Sequence, residues 1–219
     1  MLDAFCGTGG NSIQFALHPS CELVIALDND PDALACAKHN AWVYGVEDKI
    51  MFVQADFYNL RDGGAWPWEA TAGKGKGKAV KVDAVFCSPP WGGPGYQMHK
   101  VFNLEESNLG GATLQEIVNV CKSILDHESW EGARRGKEAT SNMAFFLPRT
   151  SDLSQLAKYV EGSRKAQAVH YCTGRRSKAL CAYFGELANG EGVASGGKVF
   201  SGRVGKGPRV GRGGRRNRY

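Results

Sequence analysis

Met1-Leu2-Asp3-Ala4-Phe5-Cys6-Gly7-Thr8-Gly9-Gly10-Asn11 is the stretch that decides the fold. Residues 1–5 are apolar enough for a short strand, the glycines break it, and the apolar spacing from 11 to 17 predicts a helix. Glycines in a strand-to-helix turn let the backbone approach a ligand, and the following helix start offers free amide donors. A dinucleotide fingerprint would want glycine at position 12, where this chain has Ser12. By itself the loop therefore leaves two readings open, a nucleotide-type cofactor site and a tight strand-to-helix turn.

Outward from that unit the pattern repeats. Residues 22–27 predict a strand ending in Asp28-Asn29-Asp30, and Pro31 opens a helix that runs to about 43. Residues 49–54 predict a strand ending at Asp56, and 82–87 another that ends in Ser88-Pro89-Pro90-Trp91. Helical spacing covers 113–125, a strand covers 143–147 before Pro148-Arg149, and a helix follows near 152–160. The runs 167–171 and 179–184 predict a final antiparallel pair of strands. Strands alternating with helices indicate an α/β domain with a largely parallel sheet, whose ligands bind beyond the carboxyl ends of the strands. The turn at 6–11, Asp28, Asp56, Ser88 and Arg149 all fall at those ends, so one cleft can collect them.

Bulk composition narrows the field. A chain of 219 residues suits one domain, predicted here as residues 1–189, and no apolar stretch approaches bilayer length. No basic-then-apolar leader stands at the start. Seven cysteines form no C-x-x-C pair, which predicts reduced core thiols, and five scattered histidines offer no metal-ligand spacing. Eight basic residues and no acidic ones lie between 193 and 219, so the net charge of +5 becomes −3 over residues 1–192. From 190 to 219 the Gly/Arg/Lys composition predicts a disordered basic tail. Segments 63–81, 103–111 and 128–141 are polar and are expected to be mobile insertions.

Two further motifs carry chemistry. Each lip proline fixes its own φ and keeps the preceding residue extended, so the carbonyls of Ser88 and Pro89 should face a ligand, with Trp91 as a flat wall. That arrangement suits a planar base held by its exocyclic amine, although a strand-ending turn with a packed Trp fits the tetrapeptide alone equally well. Asp28, 19 residues after Gly9, stands where an acid takes the two hydroxyls of a ribose; capping the helix at Pro31 is the plainer role for it or Asp30. Asp56 is placed to accept from an adenine amine or simply to close a turn.

In combination these motifs resemble the trimethylguanosine synthase family. The resemblance rests on DAFCGTGGNSIQFAL at 3–17, IALDNDP at 25–31, NAWVYG at 40–45, DKIMFVQADF at 48–57, SPPWGGPGY at 88–96, FFLPR at 145–149 and KALCAYFGEL at 178–187. It implies a Rossmann-like, seven-stranded S-adenosylmethionine-dependent methyltransferase sheet with helices on both faces. It further implies that the guanine N2 of 7-methylguanosine caps on small nuclear and nucleolar RNAs is the acceptor. By position, Asp3, Cys6, Gly7, Gly9, Asn11 and Asp28 would bind S-adenosylmethionine, with Asp56 and Phe57 near its adenine. Ser88 and Pro89 would accept the amine's N–H bonds, and Trp91 would stack on the cationic methylated base, a contact worth about 0.5–2 kcal/mol. Tyr96, Arg149 and Lys178 match family positions that meet cap phosphates. The family places a helical segment upstream that covers the cofactor; with Met1 two residues before Asp3, a short first strand and an uncovered cleft are expected. A monomer in the nucleus (nucleolus or Cajal-body-like), with the cytoplasm second, binding capped RNA and gripping it further through the tail, completes the expectation. Methylation of an internal RNA base and RNA binding without catalysis remain the competing functions.

Overall fold

A computed structural model describes residues 1–62, 67, 80–92, 100–126, 141–160, 166–173, 176–188 and 198–200. Its strands are β1 Leu2–Asp3, β2 Val24–Asp28, β3 Ile50–Gln54, β4 Val85–Cys87, β5 Met143–Leu147, β6 Ala166–Thr173, β7 Arg176–Phe184 and β8 Lys198–Phe200. They form one sheet in the order β3-β2-β1-β4-β5-β7-β6-β8. The first five are parallel; β7 runs antiparallel between β5 and β6, and β8 pairs antiparallel with β6. The order reverses at β1/β4, which opens a crevice at the carboxyl ends of those two strands.

Each helix starts where its sequence supplies a cap. Gly9, at φ 87°, turns the chain into α1 (Gly10–Leu17). Asp30 accepts from the amides of Asp32 and Ala33 to start α2 (Pro31–Val43), with Pro31 in the first turn. α3 (Leu114–Leu125) carries a reciprocal Thr113/Glu116 capping box, and Asp152 caps the short α4 (Leu153–Leu156). Alternation along the strands sorts side chains to two faces. Leu2, Ile25, Val85, Cys87 and Phe145 bury with Ile117, Cys121 and Ile124 of α3. Val24, Ala26 and Ile50 bury on the other face with Ile13, Ala16 and Leu34 of α1 and α2.

The seven expected strands are all present, with β1 shorter than residues 1–5 and β7 longer than 179–184. β8 corrects the expectation that everything after 190 lacks structure. β6 would otherwise be an edge strand with open hydrogen-bonding groups, and Lys198-Val199-Phe200 includes two residues that favour extended backbone. Segment 103–111 is polar outside, with Glu105, Glu106, Asn108, Gly110 and Gly111 exposed, but Leu104 and Leu109 are completely buried and anchor it to the core. Most of segments 63–81 and 128–141, the tail other than 198–200, and Tyr96 lie outside the described residues.

Candidate active site

The loop after β1 is held by backbone hydrogen bonds on every side. Cys6 N–H donates to Leu27 O at 2.9 Å, Gly9 N–H to Cys6 O at 2.9 Å, and Gly7 N–H to Asp28 Oδ2 at 2.7 Å. Asp28 Oδ1 accepts from Asp30 N–H at 3.0 Å, so each carboxylate oxygen keeps capacity for a further donor. Gly7 sits at φ 51° with nothing within 4 Å of where a Cβ would stand, so a ligand can lie directly on the backbone. Gly9 is glycine for a second reason, because a Cβ there would lie 3.0 Å from that of Ala37.

Beneath the loop Asp3 is fully buried. Its Oδ2 accepts from Ser12 Oγ at 2.6 Å, while Oδ1 makes no hydrogen bond of good geometry. Burial pushes its carboxyl up to about 6, opposed by the Ser12 hydroxyl and the Phe5 amide; the nearby Asp28 carboxylate adds to the rise. The Cys6 thiol is buried beside the same carboxylates and held well above the usual thiol range, so it stays protonated and is no nucleophile.

The lip after β4 joins this loop directly. Ser88 Oγ donates to Phe5 O at 3.2 Å, and Pro89 is buried. Trp91 is half-buried; its Nε1 donates to Phe146 O at 3.1 Å, and the two rings lie 5.2 Å apart at 31°. Arg149 and Lys178 are exposed at the same end of the sheet, and Arg149 Nη1 donates to Ser177 O at 3.3 Å. The structure thus brings Gly7, Asp28, Ser88 and Trp91 around the β1/β4 crevice, with Arg149 and Lys178 beyond it on β5 and β7.

Other expected residues take quieter positions. Asn11 is exposed on α1. Asp56 Oδ1 accepts from Tyr58 N–H at 2.9 Å and so closes the turn after β3. Phe57 is only 2% exposed and packs on Phe5 with ring centroids 5.0 Å apart; it supports the loop from below rather than presenting a ring to a ligand. Two contributors escaped the sequence reading. Asn40 Nδ2 donates to Thr8 O at 2.9 Å, clamping the loop to α2, and Ser12 holds Asp3. Ser12 was legible, since it replaces a fingerprint glycine; Asn40 had no local signal. A cavity of ≈ 690 Å³ lined by Met1, Phe15, Cys21, Leu23 and Asp83 opens at the amino ends of the strands, the wrong edge for this chemistry.

A glycine loop after the first strand, an acid after the second and a polar lip at the switch point, on a sheet ending in an antiparallel strand, define a Rossmann-like methyltransferase-type domain. The fold superimposes with a TM-score of 0.51 on the SAM-dependent methyltransferase from Agrobacterium tumefaciens, 16% identical over 84% of this chain and 55% of that one. The chain belongs to the RNA cap guanine-N2 methyltransferase family, which matches residues 1–187. It is 35% identical over 160 residues to trimethylguanosine synthase of Saccharomyces cerevisiae, covering 72% of this chain and 41% of that protein. To trimethylguanosine synthase of Schizosaccharomyces pombe it is 30% identical over 185 residues, covering 84% of this chain and 64% of the relative. The chain therefore spans less than two thirds of each of these relatives.

Proposed function

We propose that the chain is an S-adenosylmethionine-dependent methyltransferase acting on the guanine N2 of 7-methylguanosine-capped RNA, yielding the 2,2,7-trimethylated cap. The observation that carries this reading is the Ser88 Oγ bond to Phe5 O, which fixes an amine-accepting lip against a ligand-ready glycine loop. The loop residues suit a cationic adenosine ligand: open space over Gly7, remaining acceptor capacity on Asp28, and the unpaired Asp3 Oδ1 below. When bound, S-adenosylmethionine supplies an electrophilic methyl on a sulfonium.

The chain's own work is positioning. The exocyclic amine of guanine is a weak nucleophile because its lone pair is shared with the ring. Ser88 uses its hydroxyl proton toward Phe5, which leaves its oxygen and the Ser88 and Pro89 carbonyls to accept the amine's N–H bonds. Two such bonds draw the amine toward tetrahedral geometry and localise its lone pair toward the incoming methyl; the N2 that gains the methyl then gives one N–H proton to solvent. Trp91, fixed by Phe146, sets the plane of the base and favours the cationic 7-methylated form. Holding the two reactants so is worth up to roughly 7–11 kcal/mol. Asp28 would take ribose hydroxyls, Asp56 the adenine edge, and Arg149, Lys178 and Tyr96 the cap phosphates.

The same reading assigns residues 1–189 as a monomeric catalytic domain working in the nucleus. The basic residues of 190–219 would add sequence-independent, salt-sensitive RNA contact. Among the described residues no helix is long and apolar enough to cross a membrane. Methyl transfer to RNA oligomers bearing a 7-methylguanosine cap, an unmethylated guanosine cap or only internal guanosine tests the reading. Product on the 7-methylated cap alone is expected; product on internal guanosine would redirect the function to a base within the RNA, and binding without product would leave an RNA-binding domain.

A further inference from the structure

Segment 103–111, polar in composition and expected to be a mobile insertion, ends against the proposed catalytic lip. Its start is strapped to the chain after β5: Phe102 N–H donates to Thr150 O at 2.8 Å, Asp152 N–H to Phe102 O at 3.1 Å, and Leu104 N–H to Gln155 Oε1 at 2.7 Å. Leu104 and Leu109 are fully buried, and Leu109 N–H donates to Ala112 O at 2.8 Å, closing a tight turn. Inside that turn Gly110 sits at φ 73°. A Cβ there would lie 2.9 Å from Cδ of Pro90 and 3.1 Å from the hydroxyl oxygen of Tyr58, so the turn presses backbone directly onto the lip.

Tyr58 joins this turn to the cofactor side. Its hydroxyl donates to Leu109 O, and its ring packs 5.9 Å from that of Phe5. Its amide donates to Asp56 Oδ1 at 2.9 Å. Phe5 is also the residue whose carbonyl accepts from Ser88 Oγ. The lip is thus gripped at two points that both lead back to Phe5, one through Ser88 and one through Tyr58, Leu109 and Gly110 against Pro90.

We propose that residues 102–112 are a brace for the Pro-Pro lip, with Tyr58 and Gly110 as positioning residues that set the lip's distance from the glycine loop. The consequence for catalysis rests on the function proposed above; the brace itself does not. Without the Tyr58 hydroxyl, Leu109 O loses its donor and the turn can lift off Pro90. The Ser88 and Pro89 carbonyls then lose their fixed distance to the loop, which affects transfer but not binding of the cofactor.

Tyr58→Phe removes the hydroxyl and keeps the ring on Phe5; Gly110→Ala pushes Pro90 away and is strained besides. In hydrogen–deuterium exchange, the Leu109 amide, which donates to Ala112 O in the turn pressed on the lip, should exchange at least about fivefold faster in Tyr58→Phe, the scale of one neutral hydrogen bond, with the amides of α3 unchanged. On capped RNA, kcat should fall by roughly tenfold with the KM for S-adenosylmethionine unmoved. Unchanged Leu109 exchange in Tyr58→Phe would overturn the brace, as would equal acceleration across α3, which would mark a general packing role. A parallel loss of affinity for S-adenosylhomocysteine would place Tyr58 in the cofactor floor instead and also overturn it. Faster Leu109 exchange in a chain whose unmodified form methylates no cap would uphold the brace and count against the function alone.

Discussion

The two halves of the crevice are built differently. On the side of β1, β2 and β3 the polar groups are carboxylates, Asp3, Asp28 and Asp56, and each is tied to a backbone amide or a buried hydroxyl. On the side of β5 and β7 they are the cations Arg149 and Lys178, both exposed, of which Arg149 is anchored by a hydrogen bond to a backbone carbonyl. The difference matches the two proposed ligands. A small cation bound deep and identically in every turnover favours a rigid, acidic, preorganised seat. A long polyanion that arrives by diffusion and leaves after each turnover is served by cations on the rim, which steer without immobilising. The lip stands between the halves and belongs mechanically to both.

Exchanging the effects of the two sides is the strongest way to break that division. Trp91→Ala should lower kcat/KM on capped RNA by roughly 10²-fold, through lost cation stacking and lost orientation, and leave S-adenosylhomocysteine affinity within about twofold by calorimetry. Asp28→Ala should do the converse. It frees the Gly7 and Asp30 amides together and should weaken S-adenosylhomocysteine by more than about tenfold while cap-analogue affinity holds. If either variant lost both ligands equally, the crevice would be one cooperative unit and the division would be wrong.

On both sides the turns that demand special backbone were legible in the sequence, and the packing partners behind them were not. Glycines and prolines punctuate the chain wherever backbone geometry is demanding, so the loop at Gly7, the cap at Asp30 and the lip at Pro89 were legible locally. Long-range partners were not. Tyr58 and Gly110 are 52 positions apart; the Gly110-Gly111 pair announces a turn, but only the folded chain shows that it meets Tyr58 and Pro90. The polar composition of segment 103–111 hides its two anchors, Leu104 and Leu109, which are buried. The direction of the Phe57 ring was not legible either: a motif position says nothing about which way a ring points, and here it packs into the core. β8 could not be foreseen because its partner is the exposed edge of β6, a property of the finished sheet.

Asp3 offers a smaller effect that sharpens the acidic half. Its carboxyl sits at about 6 instead of the ordinary 3.8, so the folded chain holds that proton more tightly than the unfolded chain does. Folded stability attributable to Asp3 is therefore greatest below about pH 4 and is lost as pH rises to about 6, by up to about 3 kcal/mol. Asp3→Asn keeps an acceptor for Ser12 and cannot ionise. Its Tm should match the unmodified chain at pH 4 and exceed it by a few degrees at pH 7.5, while affinity for the cationic S-adenosylmethionine falls. Melting curves that run parallel from pH 4 to 7.5 would show that Asp3 does not titrate there, and that its burial has no cost for a cationic ligand to relieve.

The smallest effects belong to the rim, and they should be graded rather than all-or-none. Arg149 is anchored to Ser177 O and bridges the ends of β5 and β7, so its guanidinium offers a planar fork in a fixed place. Lys178 is exposed and acts as a point charge. Arg149→Lys removes both the fork and the anchor and should raise the KM for capped RNA about threefold to fivefold. Lys178→Arg preserves the charge and should stay within about twofold, whereas the double change to alanine should lower the salt slope of binding by about 1–1.5. S-adenosylhomocysteine affinity should not respond to any of these. Because each rim cation works in high dielectric, its loss is diluted by neighbouring charge; a hundredfold effect from Lys178→Ala alone would mean that the lysine is enclosed when RNA is bound, and that the exposed half of the crevice closes around its ligand after all.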